Sequence, residues 1–353
     1  MHLDDFDYSL PPALIAQTPI EPRDAARLLL LDRTQPGLGD HHVRDLPQVL
    51  KPGDLLVLND TRVLPARLWA RKRRTGGRVE ILLLRREAAQ TWEALVGGKG
   101  LRPGVELELV GRPVEAVAPA APIFVRIEHD LGGARRLLHF SSPITPELER
   151  VGEMPLPPYI HERLADPGRY QTVYARSPGS AAAPTAGLHF TPELLRELQA
   201  RGIGLAYVTL HVGLDTFAPI TETSVESHAM HSEWMSLSQG AAESVNRARA
   251  AGGRVIAVGT TSVRALESAA EQAERQGDPN QLAAWEGATR LYIVPGYRFR
   301  IVQAMITNFH LPRSTLLVMV SAFAGRERIL AAYAEAQARG FRFYSFGDAM
   351  LIL

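Results

Sequence analysis

Groups able to move protons or hold anions recur in this chain directly after short apolar runs. Residues 55–58 are followed by Asn59-Asp60-Thr61-Arg62, 205–208 by Thr209-Leu210-His211-Val212-Gly213, and 255–258 by Gly259-Thr260-Thr261-Ser262. Residues 299–306 lead into Thr307-Asn308-Phe309-His310, and 342–346 into Gly347-Asp348. Imidazoles and carboxylates of this kind serve as acids and bases near neutral pH. The 259–262 turn suits an anion, because free N–H groups and hydroxyls at a helix start hold a carboxylate or phosphate. Ordinary helix capping accounts for it equally well. In Pro184-Thr185-Ala186-Gly187-Leu188-His189 the small residues let another group approach the backbone closely. His189 is there as a proton carrier or, as lone histidines more often are, as a structural hydrogen-bonding residue.

His228, His231 and Glu233 cluster, with His211 upstream. Their spacing matches no zinc signature such as His-Glu-x-x-His, so polar loop residues near a substrate are expected and a metal is not. The phosphate-loop lysine pattern and Gly-x-Gly-x-x-Gly are absent, which disfavours nucleotide triphosphates and nicotinamides. Arg62, Arg67, Arg71, Lys72, Arg73, Arg74, Arg78, Arg85 and Arg86 stand against Glu80 alone. Such a run is a solvated charged surface or a phosphate-binding face. The whole chain is nearly neutral, with 39 Lys and Arg against 38 Asp and Glu. It has no cysteine, which excludes disulfides, thiolate metal sites and a cysteine nucleophile. The acidic start lacks the pattern of a signal peptide. The longest apolar stretch, near 315–324, is far short of the roughly 20 residues of a membrane span. A cytoplasmic protein with no membrane partner is expected.

In open α/β sheets ligands sit beyond the carboxyl ends of strands, so a sheet must position these groups. The region 151–353 alternates strand and helix. Thr191-Pro192-Glu193 starts a helix that Gly202 ends. Further helices are expected near 241–251, 263–276 and 326–339, with strands at 205–210, 255–258, 299–306 and 341–346. This order predicts an α/β fold, a mainly parallel sheet with flanking helices. Residues 63–150 differ. Val105-Glu106-Leu107-Glu108-Leu109 alternates with period two, 124–128 reads as another strand, and glycine pairs supply turns. That pattern predicts a small barrel or sandwich. The α/β part is therefore 1–62 plus 151–353, interrupted by a β-rich insertion of 63–150. The Ala/Pro-rich stretch 116–122 is a loop.

Longer motifs occur in a fixed order. They include Phe6-Asp7-Tyr8, Leu58-Asn59-Asp60-Thr61-Arg62-Val63 with Pro65-Ala66-Arg67, Pro155-Leu156-Pro157-Pro158-Tyr159-Ile160, and Arg169-Tyr170-Gln171-Thr172-Val173-Tyr174-Ala175. Residues 183–191, 209–213 and 259–264 follow, then Pro295-Gly296-Tyr297, 307–312 and Gly347-Asp348-Ala349-Met350-Leu351. Each is weak alone. The ordered set, spanning nearly the whole chain, resembles the S-adenosylmethionine:tRNA ribosyltransferase-isomerase family of queuosine synthesis.

The resemblance implies an α/β domain with an inserted small β-barrel domain, no metal and no resident cofactor. S-adenosylmethionine would be a consumed co-substrate. Its ribosyl part would pass to a 7-aminomethyl-7-deazaguanine base in the tRNA anticodon, adenine and methionine leaving. A monomer is expected. His189, His211, His231, Asp60 and Glu233 are the candidate proton carriers, with Asp60 or Glu233 able to read the base. Gly259, Thr260, Thr261 and Ser262, or Arg264, would hold the methionine carboxylate. Asn59, Thr61, Arg62, Thr185, Gly187, Thr209, Asn308, His310 and Asp348 complete the expected substrate site. Arg67, Arg71, Lys72, Arg73 and Arg74 would meet tRNA phosphates. The chain departs from the family pattern at Asp215 (usually glycine), Ala218 (usually arginine), and Arg290 and Gln303 (expected as aspartates). Two other readings stay open: an RNA-binding protein without catalysis, and an S-adenosylmethionine enzyme with another acceptor.

Overall fold

The computed structural model describes residues 1–111, 119, 121–213 and 222–353. Most of the Ala/Pro-rich stretch lies outside them, as do Asp215 and Ala218. The chain divides into two compact units. One is Met1–Arg62, Pro157–Ser177 and Ala183–Leu353; the other is Val63–Leu156 with Pro178–Ala182.

The first unit is built on a nine-stranded sheet. Its strands are β1 (Arg27–Leu31), β2 (Leu38–His42), β3 (Leu55–Asn59), β4 (Gly204–Leu210), β5 (Glu233–Leu237), β6 (Val255–Val258), β7 (Trp285–Thr289), β8 (Ala304–Asn308) and β9 (Ala349–Ile352). They lie in the order β7-β5-β4-β3-β6-β8-β9-β1-β2. β3, β6 and β8 are buried at every residue, as continuous aliphatic runs covered on both faces must be. Among the described residues the sheet is mixed rather than mainly parallel. β4–β3, β3–β6, β6–β8 and β9–β1 pair parallel. β7–β5, β5–β4, β8–β9 and β1–β2 pair antiparallel. Apolar periodicity marks a strand but carries no direction, so the antiparallel pairings escape it.

The helices are α1 (Pro192–Ala200), α2 (Gln239–Ala250), α3 (Thr260–Arg275), α4 (Thr315–Ala324) and α5 (Arg326–Ala338). Thr191 caps α1 by accepting from the Leu194 N–H at 3.1 Å, and proline opens its first turn. The 315–324 apolar stretch forms α4, capped by Ser314 at 3.2 Å from the Leu317 N–H. Two expectations need correction. The strand foreseen over 299–306 is confined to β8. The one foreseen at 341–346 does not form: Phe341 and Phe343 instead pack edge-on or tilted against Phe309, and Tyr344 turns the chain with φ 71°. The strand comes later, as β9. Leu56, Leu58, Ile256, Val258, Ile306 and Leu351 form the sheet core, against Phe190, Leu194 and Leu198.

The second unit is a closed barrel of six antiparallel strands: Arg135–Phe140, Thr91–Gly97, Arg78–Arg86, Arg67–Lys72, Glu106–Val110 and Phe124–Asp130. Alternate residues such as Leu68, Ala70, Val79, Ile81, Leu107 and Leu109 fill it.

Candidate active site

β4, β3, β6 and β8 are neighbours and parallel, so four of the five polar strand ends fall on one edge. A cavity of about 410 Å³ opens there. Gly259, Thr260 and Thr261 reach it from the start of α3, Thr307–His310 from the end of β8, and Thr185 and Ala186 from the 184–189 loop. Its wall is otherwise largely apolar, with Pro158, Val212, Leu311, Pro312 and Leu316. Convergent polar groups in an apolar concavity of this size are the pattern of small-molecule sites.

Many polar groups in and just behind the wall have specific partners. Asn59, fully buried, accepts from the Thr61 and Leu210 N–H groups at 3.1 and 3.0 Å. Its amide nitrogen donates to the Leu210 carbonyl at 3.0 Å and to Thr261 Oγ1 at 3.1 Å. The His310 backbone is clamped between two phenols: its N–H donates to the Tyr333 hydroxyl at 2.9 Å, and its carbonyl accepts from the Tyr8 hydroxyl at 2.5 Å. His310 Nε2 lies 2.8 Å from Thr307 Oγ1. Burial pulls the imidazole down to about 3, so it is neutral near pH 7. Asn308 donates to the Tyr344 carbonyl at 2.9 Å, and Thr185 Oγ1 is 3.4 Å from its oxygen. The Tyr159 and Tyr344 rings stand 4.9 Å apart, tilted.

The other expected residues lie beside the cavity or away from it. His189 is buried outside the lining, 3.3 Å from the Asn308 amide nitrogen. Burial, then Arg342 and Arg23, pull it down to about 4. Gly187 is required locally, since an added Cβ would sit 2.0 Å from the Tyr174 hydroxyl oxygen. Asp60 accepts from Thr209 Oγ1 at 2.7 Å and from Arg176 at 2.8 Å. His211 Nδ1 lies 2.8 Å from Thr61 Oγ1, and its ring stacks on Trp234 at 5.0 Å. Burial lowers its pKa against the raising effect of Asp60. Glu233 accepts from Arg264 and, at 2.9 Å, from the Gly213 N–H. Arg264 also donates to the Leu291 carbonyl at 3.1 Å and is 1% exposed. Ser262 Oγ is turned back onto the Val258 carbonyl at 2.8 Å.

Asp348 stands at the start of β9 rather than at a strand end. It accepts from the Arg27 and Arg342 N–H groups at 3.0 and 2.8 Å, which makes it a turn anchor. His231 and Arg62 are exposed and outside the lining. Gln303 Oε1 accepts the Val255 N–H at 3.0 Å, and Arg290 is exposed. On the barrel, Arg67 pairs with Glu80 at 3.2 Å and Arg73 with Glu106 at 2.6 Å, while Lys72 donates to the Lys99 carbonyl. Arg71 and Arg74 are exposed. Strand-end reasoning missed Tyr159, Arg313, Tyr344 and Ser345, which line the cavity from loops. Only the Pro155–Ile160 motif signalled one of them.

A family model described as "Queuosine biosynthesis protein" matches residues 3–352. A protein of Moorella thermoacetica named S-adenosylmethionine:tRNA ribosyltransferase-isomerase is 53% identical, with 100% of both chains covered. One of the same name from Thermus thermophilus is 53% identical, with 99% of each covered. Among solved structures, an S-adenosylmethionine tRNA ribosyltransferase from Thermotoga maritima is 36% identical, with a TM-score of 0.55, over 99% of this chain and 100% of that one. The chain belongs to the queuosine biosynthesis protein family.

Proposed function

We propose that this protein is an S-adenosylmethionine:tRNA ribosyltransferase-isomerase. It transfers and isomerises the ribosyl part of S-adenosylmethionine onto a 7-aminomethyl-7-deazaguanine base at the tRNA wobble position. The product is epoxyqueuosine-tRNA, with adenine and methionine released. Beyond family membership, one observation supports the reading: a largely apolar cavity holds a neutral imidazole at one wall and a helix start at another.

The chemistry needs a base for the acidic proton beside the sulfonium, a neutral amine to attack, and help for the departing adenine. His310 is the histidine in the wall among the described residues. It is unprotonated near neutral pH, and the burial that keeps it so also makes it a weak base that takes a proton only transiently. The Tyr159 and Tyr344 rings offer faces for a purine-like ring. The start of α3 suits the substrate carboxylate. His189, one hydrogen bond behind Asn308, orients the wall rather than touching substrate. The sulfonium is the activated group, so the reaction calls for no resident cofactor. Arg71 and Arg74 take phosphates of the anticodon stem-loop, whose unstacked bases are the usual target of sequence-specific RNA readers. Among the described residues no helix is long and apolar enough to cross a membrane. We place the enzyme in the cytoplasm, with its tRNA, as a monomer.

The test is adenine release from S-adenosylmethionine with and without tRNA carrying the aminomethyl base. Release only with that tRNA, with matching mass gained by the base, is the expected result. Binding of tRNA without release would instead favour an RNA-binding protein on this scaffold. Turnover without tRNA would favour another acceptor.

A further inference from the structure

Hydrogen-bond accounting around Asn59 fixes the direction of a hydroxyl in the cavity wall. Asn59 Oδ1 accepts two backbone N–H groups, from Thr61 and Leu210. A flipped amide would set its own hydrogens against those donors, so the orientation is determined. The NH2 group then spends one hydrogen on the Leu210 carbonyl and the other on Thr261 Oγ1. Thr261 Oγ1 is thereby an acceptor and has its own hydrogen left to give. No acceptor for it is found among the described residues, although Thr261 is only 8% exposed and lines the cavity. Thr260, 7% exposed, also lines it, and no partner for its hydroxyl is found among the described residues.

The backbone adds to this. Ser262 and Val263 are the first residues of α3 to return N–H groups, both to the Gly259 carbonyl at 3.1 and 3.2 Å. The N–H groups of Thr260 and Thr261 precede that bond and are left over, at the positive end of a 16-residue helix. Donors therefore gather at one wall of a cavity whose lining contains no carboxylate among the described residues.

We propose that Asn59 is a positioning residue that holds the Thr261 hydroxyl as a donor toward the α-carboxylate of a bound amino-acid moiety. On the reading above, which this inference rests on, that moiety is the methionine part of S-adenosylmethionine. Asn59 acts only through Thr261 and touches no substrate.

The experiment is calorimetric binding of S-adenosylmethionine and of decarboxylated S-adenosylmethionine, which lacks only the carboxylate. Thr261→Val weakens the first about tenfold, the scale of one hydrogen bond to a charged group, and leaves the second within about twofold. Thr261→Ser restores the discrimination. Asn59→Asp turns the Thr261 hydrogen back onto the new carboxylate and lowers the preference for the carboxylated ligand further. Equal loss of both ligands in Thr261→Val, or loss of neither, overturns the seat while leaving the transferase reading intact. Wild-type protein that binds neither ligand overturns both.

Discussion

Two sets of polar side chains meet near the strand ends of the α/β unit, and the fold treats them in opposite ways. Asp60, Glu233 and Asp348 have their oxygens committed to hydroxyl, guanidinium or backbone donors. The cavity wall carries threonines, an asparagine and a neutral histidine, and no carboxylate among its described lining residues. The division follows from cost. A buried carboxylate is tolerable only when paired, and once paired it is a brace. Neutral hydroxyls and imidazoles tolerate burial with hydrogen-bonding capacity left over. The acids are held by partners, and the polar side chains lining the cavity among the described residues are, Arg313 apart, neutral.

Replacing His310 with Asn tests the reactive side first. Adenine release under single turnover should fall by about 10²–10⁴-fold, the range of a positioned acid or base, with S-adenosylmethionine binding retained. Unchanged release would break the comparison by removing the base from the wall. On the braced side, Glu233→Ala leaves the 1%-exposed Arg264 without its carboxylate. Urea denaturation should report about 3–5 kcal/mol of lost stability. A fully stable variant that had lost only turnover would move Glu233 across to the reactive set.

The histidines sharpen the contrast through pH. His189 and His310 are held at about 4 and about 3, below the ordinary 6.5. Below pH 6.5 the unfolded chain therefore takes up protons that the native chain refuses. Stability is full above that value and declines as pH falls toward the native values, by about 1.4 kcal/mol per pH unit for each imidazole. Urea midpoints across that window should show the slope, and His189→Gln should reduce it by one imidazole's share. The smallest effect expected is that of Gly187→Ala. Its Cβ would meet the buried Tyr174 hydroxyl and the Thr172 methyl, at a cost of about 1–3 kcal/mol in thermal unfolding.

Much of this edge can be read from residue order alone. Asn59, Gly259 and Thr307-Asn308 each end a run of buried aliphatics, and a run of that kind has one plausible place in a sheet. The Thr191 cap and its proline likewise announce α1 locally. Direction and partnership cannot be read so. Nothing near Glu233 in the sequence announces Arg264, its partner 31 residues away along the chain. Residues 341–346 have strand composition, yet their rings join Phe309 and Tyr333, a tertiary cluster invisible to periodicity. Tyr159 and Tyr344 enter the wall from irregular segments, where no local pattern points to a cavity.

The two units also differ in how they can assemble in time. Four of the barrel's six pairings join neighbours along the chain, and the other two, Arg67–Lys72 with Glu106–Val110 and Thr91–Gly97 with Arg135–Phe140, stay within residues 67–140. The sheet instead sets Arg27 against Asp348, 321 residues apart, where β1 pairs with β9. Loop closure over that distance is slow. The barrel should therefore acquire hydrogen-exchange protection first during refolding. The edge carrying the cavity matures only when the late strand docks between β8 and β1, so catalytic competence should be the last property to return.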